Sequence, residues 1–136
     1  MTRREWPGFI ALLTMLTLIL CVTPALAHHS TAMFDTEHPI EISGTVVEWQ
    51  FSNPHCFIML DVSDTDGQTV RWSLEGLSPN LLYRQGWTPK SLQAGDRIMA
   101  TVRPLHSGAP GGNYGNLRWG DGSVIDPKAA RPAQQE

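Results

Sequence analysis

Between residues 40 and 119 the apolar positions recur mainly at every second residue, the period of a β-strand with one face in a core. Ile40 and Ile42 share one parity, and Val47, Trp49 and Phe51 share the other, with Gly44 between the two sets. A glycine at a change of parity predicts a bulge that bends a long first strand. Asn53-Pro54 ends that strand, because proline brings no N–H to a ladder. The second strand runs from Cys56 to Val62, with Cys56, Ile58, Leu60 and Val62 on the core face and His55, Phe57, Met59 and Asp61 on the other. Past an Asp66-Gly67 turn, the third sets Val70, Trp72 and Leu74 against Arg71, Ser73 and Glu75.

The period then changes. Ser78 is placed as an N-cap, Pro79 suits the first helical position and Gly86 the exit, so a short helix is predicted, followed by Trp87. Thr88-Pro89 opens a turn-like element that ends near Gly95-Asp96. Ile98, Ala100 and Val102 mark a fourth strand, Ser107 to Gly115 read as a glycine-rich loop, and Leu117 and Trp119 mark a fifth strand before an Asp121-Gly122 turn. Three strands, a helix and two strands, with a bent first strand, predict an all-β fold with one short helix: a small five-stranded OB-like Greek-key barrel, with an open β-sandwich as the alternative. A barrel leaves few exposed edges, which suits a small domain.

The ends follow other rules. Arg3 and Arg4 precede an apolar run of fourteen residues, Phe9 to Val22. That is shorter than the ~20 residues a spanning helix needs. Pro24 and Ala25-Leu26-Ala27 follow, with small residues at both specificity positions of a cleavage site. Residues 1–27 are therefore expected to be a cleaved signal peptide. Leu20 before Cys21 argues against lipoprotein processing, and the strongly apolar run favours the general secretory route over a twin-arginine one. The remaining organisation is an N-terminal arm over 28–39, the barrel over 40–126 and a disordered tail over 127–136. The expected destination is the periplasm or the exterior, with no stable membrane anchor after cleavage.

Composition narrows the partners. The whole chain carries ten Lys and Arg against thirteen Asp and Glu. Without residues 1–27 the balance is eight against twelve, a net charge of −4. A mildly acidic domain is a poor match to a phosphate backbone, which is held by clustered Lys and Arg, so no nucleic-acid partner is expected. Cleavage removes Cys21 and leaves Cys56 alone, so no intramolecular disulfide can form and packing must supply the stability.

Short motifs run through nearly the whole mature region: His28-His29-Ser30 with Phe34-Asp35, Gly44-Thr45-Val46, Asn53-Pro54-His55, Leu81 through Gly86-Trp87, and Gly95-Asp96. In their order and spacing the chain resembles the bacterial domain-of-unknown-function family six-one-five-two of small exported proteins. The resemblance implies an exported small β domain and supplies no assigned reaction. Ser107 to Gly115 is richer in glycine than the family pattern.

Candidate chemistry centres on histidine. Cleavage after Ala27 makes His28 the first residue, and its α-amine and imidazole can chelate one metal ion. Nitrogen-rich tetragonal sites suit Cu(II), so copper is the cofactor this pattern suggests. His29 offers a second arrangement through amine, amide and imidazole, and His55 is a candidate third ligand. The competing reading is a solvated arm at 28–29 and a His55 that bonds only the turn. Extended, residues 28–39 can span ~40 Å, enough to fold back along the barrel. His106 and, more weakly, Trp119 are candidates for a ligand face between the loops. Cys56 alternates into the core, and Met33, Met59 and Met99 lack the spacing of a methionine-rich copper site. Trp49, Trp72 and Trp87 fit packing better than stacking on a ligand. No nucleophile motif, HExxH or phosphate loop occurs, so an enzyme is not expected. The outcome is a binding module: copper through His28, or a metal-free accessory domain holding a protein or small ligand on the loop face.

Overall fold

The computed structural model describes residues 32–129. The expected signal peptide, His28 and His29, and tail residues 130–136 lie outside the described residues. Five strands and one helix follow in order: β1 (Ile40–Gln50), β2 (Phe57–Ser63), β3 (Thr69–Glu75), α1 (Pro79–Arg84), β4 (Arg97–Pro104) and β5 (Gly111–Trp119). The strands close into a barrel in the order β1-β2-β3-β5-β4, with β4 returning to β1. All pairings are antiparallel except β3 with β5, which is parallel. This is the OB-like Greek-key barrel, with the helix between the third and fourth strands.

The core is the inward set of alternating residues. Cys56, Ile58, Leu60, Leu74, Ile98 and Val102 are fully buried, joined by Val46, Leu92 and Ala100. Each large aliphatic side chain among them contributes roughly 1.5–3 kcal/mol of burial. The short helix closes one end of the barrel. Pro79 stands at its start, and the Ser78 carbonyl accepts from the Leu81 and Leu82 amides. At its exit Gly86 takes φ +100° while the Trp87 amide returns to the Leu82 carbonyl, a left-handed conformation that favours glycine. Leu82 and Trp87 are thereby buried, and Trp49 packs on Trp87 and donates its indole N–H to the Thr88 carbonyl at 2.9 Å.

The structure moves three expected features. The irregularity in β1 falls between Val46 and Glu48, not at Gly44, and Val46 rather than Val47 enters the core. Gly44 serves close approach instead: a Cβ there would stand 2.4 Å from the Asp61 carbonyl oxygen and 2.9 Å from Leu60 Cγ. Val62 is half-buried and Val70 exposed, because the β2–β3 hairpin extends past the core. The third change is the glycine-rich stretch. Residues 111–115, expected as loop, form the first half of β5, where Gly111, Gly112 and Asn113 pair with Ser73, Leu74 and Glu75.

Beyond β5 the chain stays on the barrel. Val124 bridges Arg118, the Ile125 amide donates to the Leu117 carbonyl, and Ile125 is buried. The described part of the expected tail, residues 127–129, belongs to a turn in which the Ala129 amide donates to the Asp126 carbonyl, while Lys128 lies over Gly86. At the other end Phe34 is buried and bridges Leu105, and the Asp35 amide donates to the Pro104 carbonyl.

A Cβ at Gly112 would lie 2.4 Å from the Arg103 carbonyl oxygen and 2.5 Å from Val102 Cγ1, whereas one at Gly115 would meet nothing closer than 3.7 Å. Gly112→Ala is therefore expected to destabilise the barrel by about 2–3 kcal/mol through forced separation of strands. Gly115→Ala should stay within about 1 kcal/mol of the parent. Urea unfolding of the two variants checks this. The Cys56 thiol, fully buried and pushed above its ordinary pKa by desolvation, should react with a thiol reagent only after unfolding. Rapid labelling of the folded protein would contradict its inward placement.

Candidate functional site

The outer face of β2 and β3 carries the residues that alternate away from the core. In cross-strand order it presents Asp61 beside Arg71, Met59 beside Ser73, and Phe57 beside Glu75. Arg71 grips Asp61 through two bonds, Nε to Oδ1 at 2.8 Å and Nη2 to Oδ2 at 3.0 Å. The bonded guanidinium holds the Asp61 carboxyl below its usual range. Phe57 and Met59 are half-buried on this outward face.

His55 stands at the end of that row, in the turn between β1 and β2. Its place is set by the neighbouring backbone: the Cys56 amide donates to the Leu77 carbonyl, and the Gly76 amide donates to the Cys56 carbonyl. The imidazole reaches across to β3, with Nδ1 2.5 Å from Glu75 Oε1. Glu75 is itself fixed. It lies in a rung running from Phe57 through Glu75 and Asn113 to Arg103. The Asn113 amide donates to the Glu75 carbonyl oxygen at 3.0 Å, and Arg103 donates to Asn113 Oδ1 at 3.0 Å. Beneath the rung, Tyr114 presses its hydroxyl against Gly76, and burial drives its phenol well above the ordinary range. When the ring of His55 is neutral, Nδ1 carries the proton toward Glu75 and Nε2 keeps its lone pair.

The other expected residues are dispersed. His106 is exposed in the β4–β5 loop, and its backbone amide donates to the Met33 carbonyl, so the described part of the N-terminal arm runs along that loop. Trp119 is half-buried against the core at the last residue of β5, the opposite end of that strand from His106, so the two do not share a loop face. His38, which the sequence reading left aside, pairs through Nδ1 with Asp35, whose carboxylate also accepts from the Glu37 and His38 amides. These bonds, the side-chain contact first, hold the Asp35 carboxyl below its usual range. Among the described residues no group of three His, Cys, Asp or Glu side chains could hold a metal ion. The residue missed from sequence was Glu75. Its outward parity was visible, but its pairing with His55 depends on the β2–β3 register.

The site chemistry predicts a single imidazole tautomer. For the neutral ring, nitrogen-15 spectra should show His55 with its proton on Nδ1, the nitrogen that faces Glu75. Glu75→Gln should relax this to a mixture of tautomers, because an amide oxygen holds the proton less strongly than a carboxylate. An unchanged tautomer in the variant would remove Glu75 as the orienting group.

Comparison with curated proteins and with solved structures finds no match. A family model, described as a family of unknown function, matches residues 16–114, which take in the whole barrel as far as Tyr114 of β5. The chain belongs to that family, DUF6152.

Proposed function

We propose that this protein is an exported binding module, in the periplasm or outside the cell, that holds copper(II) through a mature N-terminal His28. The observation that carries the reading is the position of His28 directly after Ala25-Leu26-Ala27. Processing there creates an α-amine of pKa ~8 next to an imidazole. Two nitrogens from one residue make a chelate, His29 adds further nitrogen donors beside it, and Cu(II) heads the affinity order of divalent metals for such sites. The barrel supplies a compact scaffold with a disulfide-free core, and it carries in His55 an imidazole whose Nδ1 is already committed to Glu75.

A second reading, a metal-free module for a small ligand, draws support from a cleft of about 390 Å³ between β5 and the segment after it. Trp87, Gly115, Asn116, Arg118, Val124 and Pro127 line it.

Two measurements separate the readings. Intact mass of the exported protein should show loss of residues 1–27, and retention of the precursor or a lipid on Cys21 would remove the premise. Calorimetric titration with Cu(II) should then show saturable binding. It should fall at least about tenfold in His28→Ala, which removes one of the two nitrogens of the chelate. His55→Ala should weaken binding less. Equal affinity in His28→Ala would reject the chelate, loss only in His29→Ala would move the site to the amine, amide and His29, and no saturable binding in any form would leave the metal-free reading.

A further inference from the structure

Beside β5 the barrel leaves a gap. β5 pairs with β3 only as far as Asn113, and the segment that folds back joins it again at Leu117, through the Ile125 amide. The cleft of about 390 Å³ opens between those two points, against Trp87. Two features of β5 in this gap are not demanded by packing. The first is Gly115. A Cβ at Gly111, Gly112 or Gly120 would meet a neighbouring atom at 3.1, 2.4 or 2.9 Å, so the barrel needs glycine at each. At Gly115 the nearest atom would be 3.7 Å away, an ordinary contact, and φ is not positive. Glycine weakens a strand interior, and where neither packing nor backbone demands it, it marks a place that another molecule approaches closely. The second feature is a bulge. The β4 partners run from Ala100 with Leu117 to Val102 with Tyr114, so Gly115 and Asn116 together oppose Thr101. Bulges re-aim side chains beside binding sites, and Asn116 is exposed in the wall of this cleft.

We infer that this cleft binds a small, flat, uncharged heterocycle that presents an N–H donor beside a carbonyl acceptor, as a lactam does. The inference rests on the metal-free reading of the cleft and names its class of ligand. Each part of the wall selects one property. The absent side chain at Gly115 leaves room for a ring against the β5 backbone. Trp87 and Pro127 contribute apolar ring surface, and Val124, 75% exposed, is an aliphatic side chain that a bound ring would cover. The Asn116 carboxamide holds a donor and an acceptor side by side, so it pairs with the complementary edge through two hydrogen bonds. The nearby charges are engaged elsewhere. The Arg118 guanidinium lies 3.7 Å from Glu41 Oε2, and Asp126 Oδ1 accepts from the Lys128 amide. An ionised ligand would lose hydration here without gaining a counter-charge, so the ring is uncharged.

The probe is 2-quinolone, a bicyclic lactam, titrated into the protein without added metal and followed by nitrogen-15 amide shifts. The expected result is saturable binding that moves the Gly115, Asn116 and Val124 amides and leaves those of the β2–β3 hairpin in place. Gly115→Val, which fills the space beside β5, should abolish it. Asn116→Leu, similar in size and without hydrogen bonds, should weaken it by about tenfold. N-methyl-2-quinolone, which lacks the donor, should bind the parent about tenfold more weakly than the lactam. Unfolding midpoints check that each variant is folded, and the methylated probe tests the same pairing in the unaltered protein. Full binding in Gly115→Val, full binding in Asn116→Leu, or shifts confined to other strands would overturn the inference. Equal affinity for the two probes, lost in Gly115→Val, would refute the lactam class and leave a ligand cleft standing. Saturation by neither probe would overturn the inference and the metal-free reading of the cleft together.

Discussion

The parallel seam between β3 and β5 is the constraint on which the rest of this structure depends. Every other edge of the barrel is closed by an antiparallel ladder of five to seven paired residues, whereas this one rests on three: Ser73 with Gly111, Leu74 with Gly112, and Glu75 with Asn113. Two of the three β5 residues are glycines, and a side chain at Gly112 would collide with the β4 backbone. The missing side chains let β5 sit between β3 and β4. Asn113 then braces the seam with its side chain, bonding the β3 backbone on one side and Arg103 of β4 on the other. In a small domain without a disulfide, closure of this kind takes the place of a covalent tie.

The same closure sets the candidate site. Glu75 is the last residue of β3 and the last paired residue of the seam, so its backbone is fixed by the strands on both sides. A carboxylate anchored in that way can hold a histidine from the β1–β2 turn. His55 in turn stands beside Cys56, whose side chain is in the core and whose backbone bonds residues 76 and 77. One imidazole is thereby oriented through sheet register, core packing and barrel closure together.

Much of this was legible in the chain. Alternation found all five strands, because inward positions such as Ile58, Leu60, Ile98 and Val102 carry aliphatic residues and their neighbours do not. Pro79 and Gly86 marked the helix through their own backbone constraints. Residues 111–115 were harder, since glycine is read as loop from local preference. Here it is required at Gly112 by the facing residues of the adjacent strand, Val102 and Arg103 on β4. The bulge in β1 was displaced for the same reason: Gly44 answers to Leu60 and Asp61 on the next strand, and the bend is taken up beyond Val46. His55 was recognisable as a candidate by residue type and parity. Glu75 was not, because nothing local to residue 75 says which residue of β2 it faces. Trp119 was a weak ligand-face candidate because the segment that folds back on β5, ending in the buried Ile125, has no periodic pattern of its own.

The central claim is that the short seam closes the barrel as firmly as its longer ladders and so fixes Glu75. Native-state amide hydrogen exchange measures this directly. The Ser73 amide, bonded to the Pro110 carbonyl, reports on the seam, while amides within the β2–β3 ladder report on the core. If closure is cooperative, the Ser73 amide will exchange with the same opening free energy as the β2–β3 ladder, through global unfolding. Exchange of Ser73 at a markedly lower opening free energy, with the β2–β3 ladder still protected, would show a barrel that opens along β3 and β5 and would contradict the account.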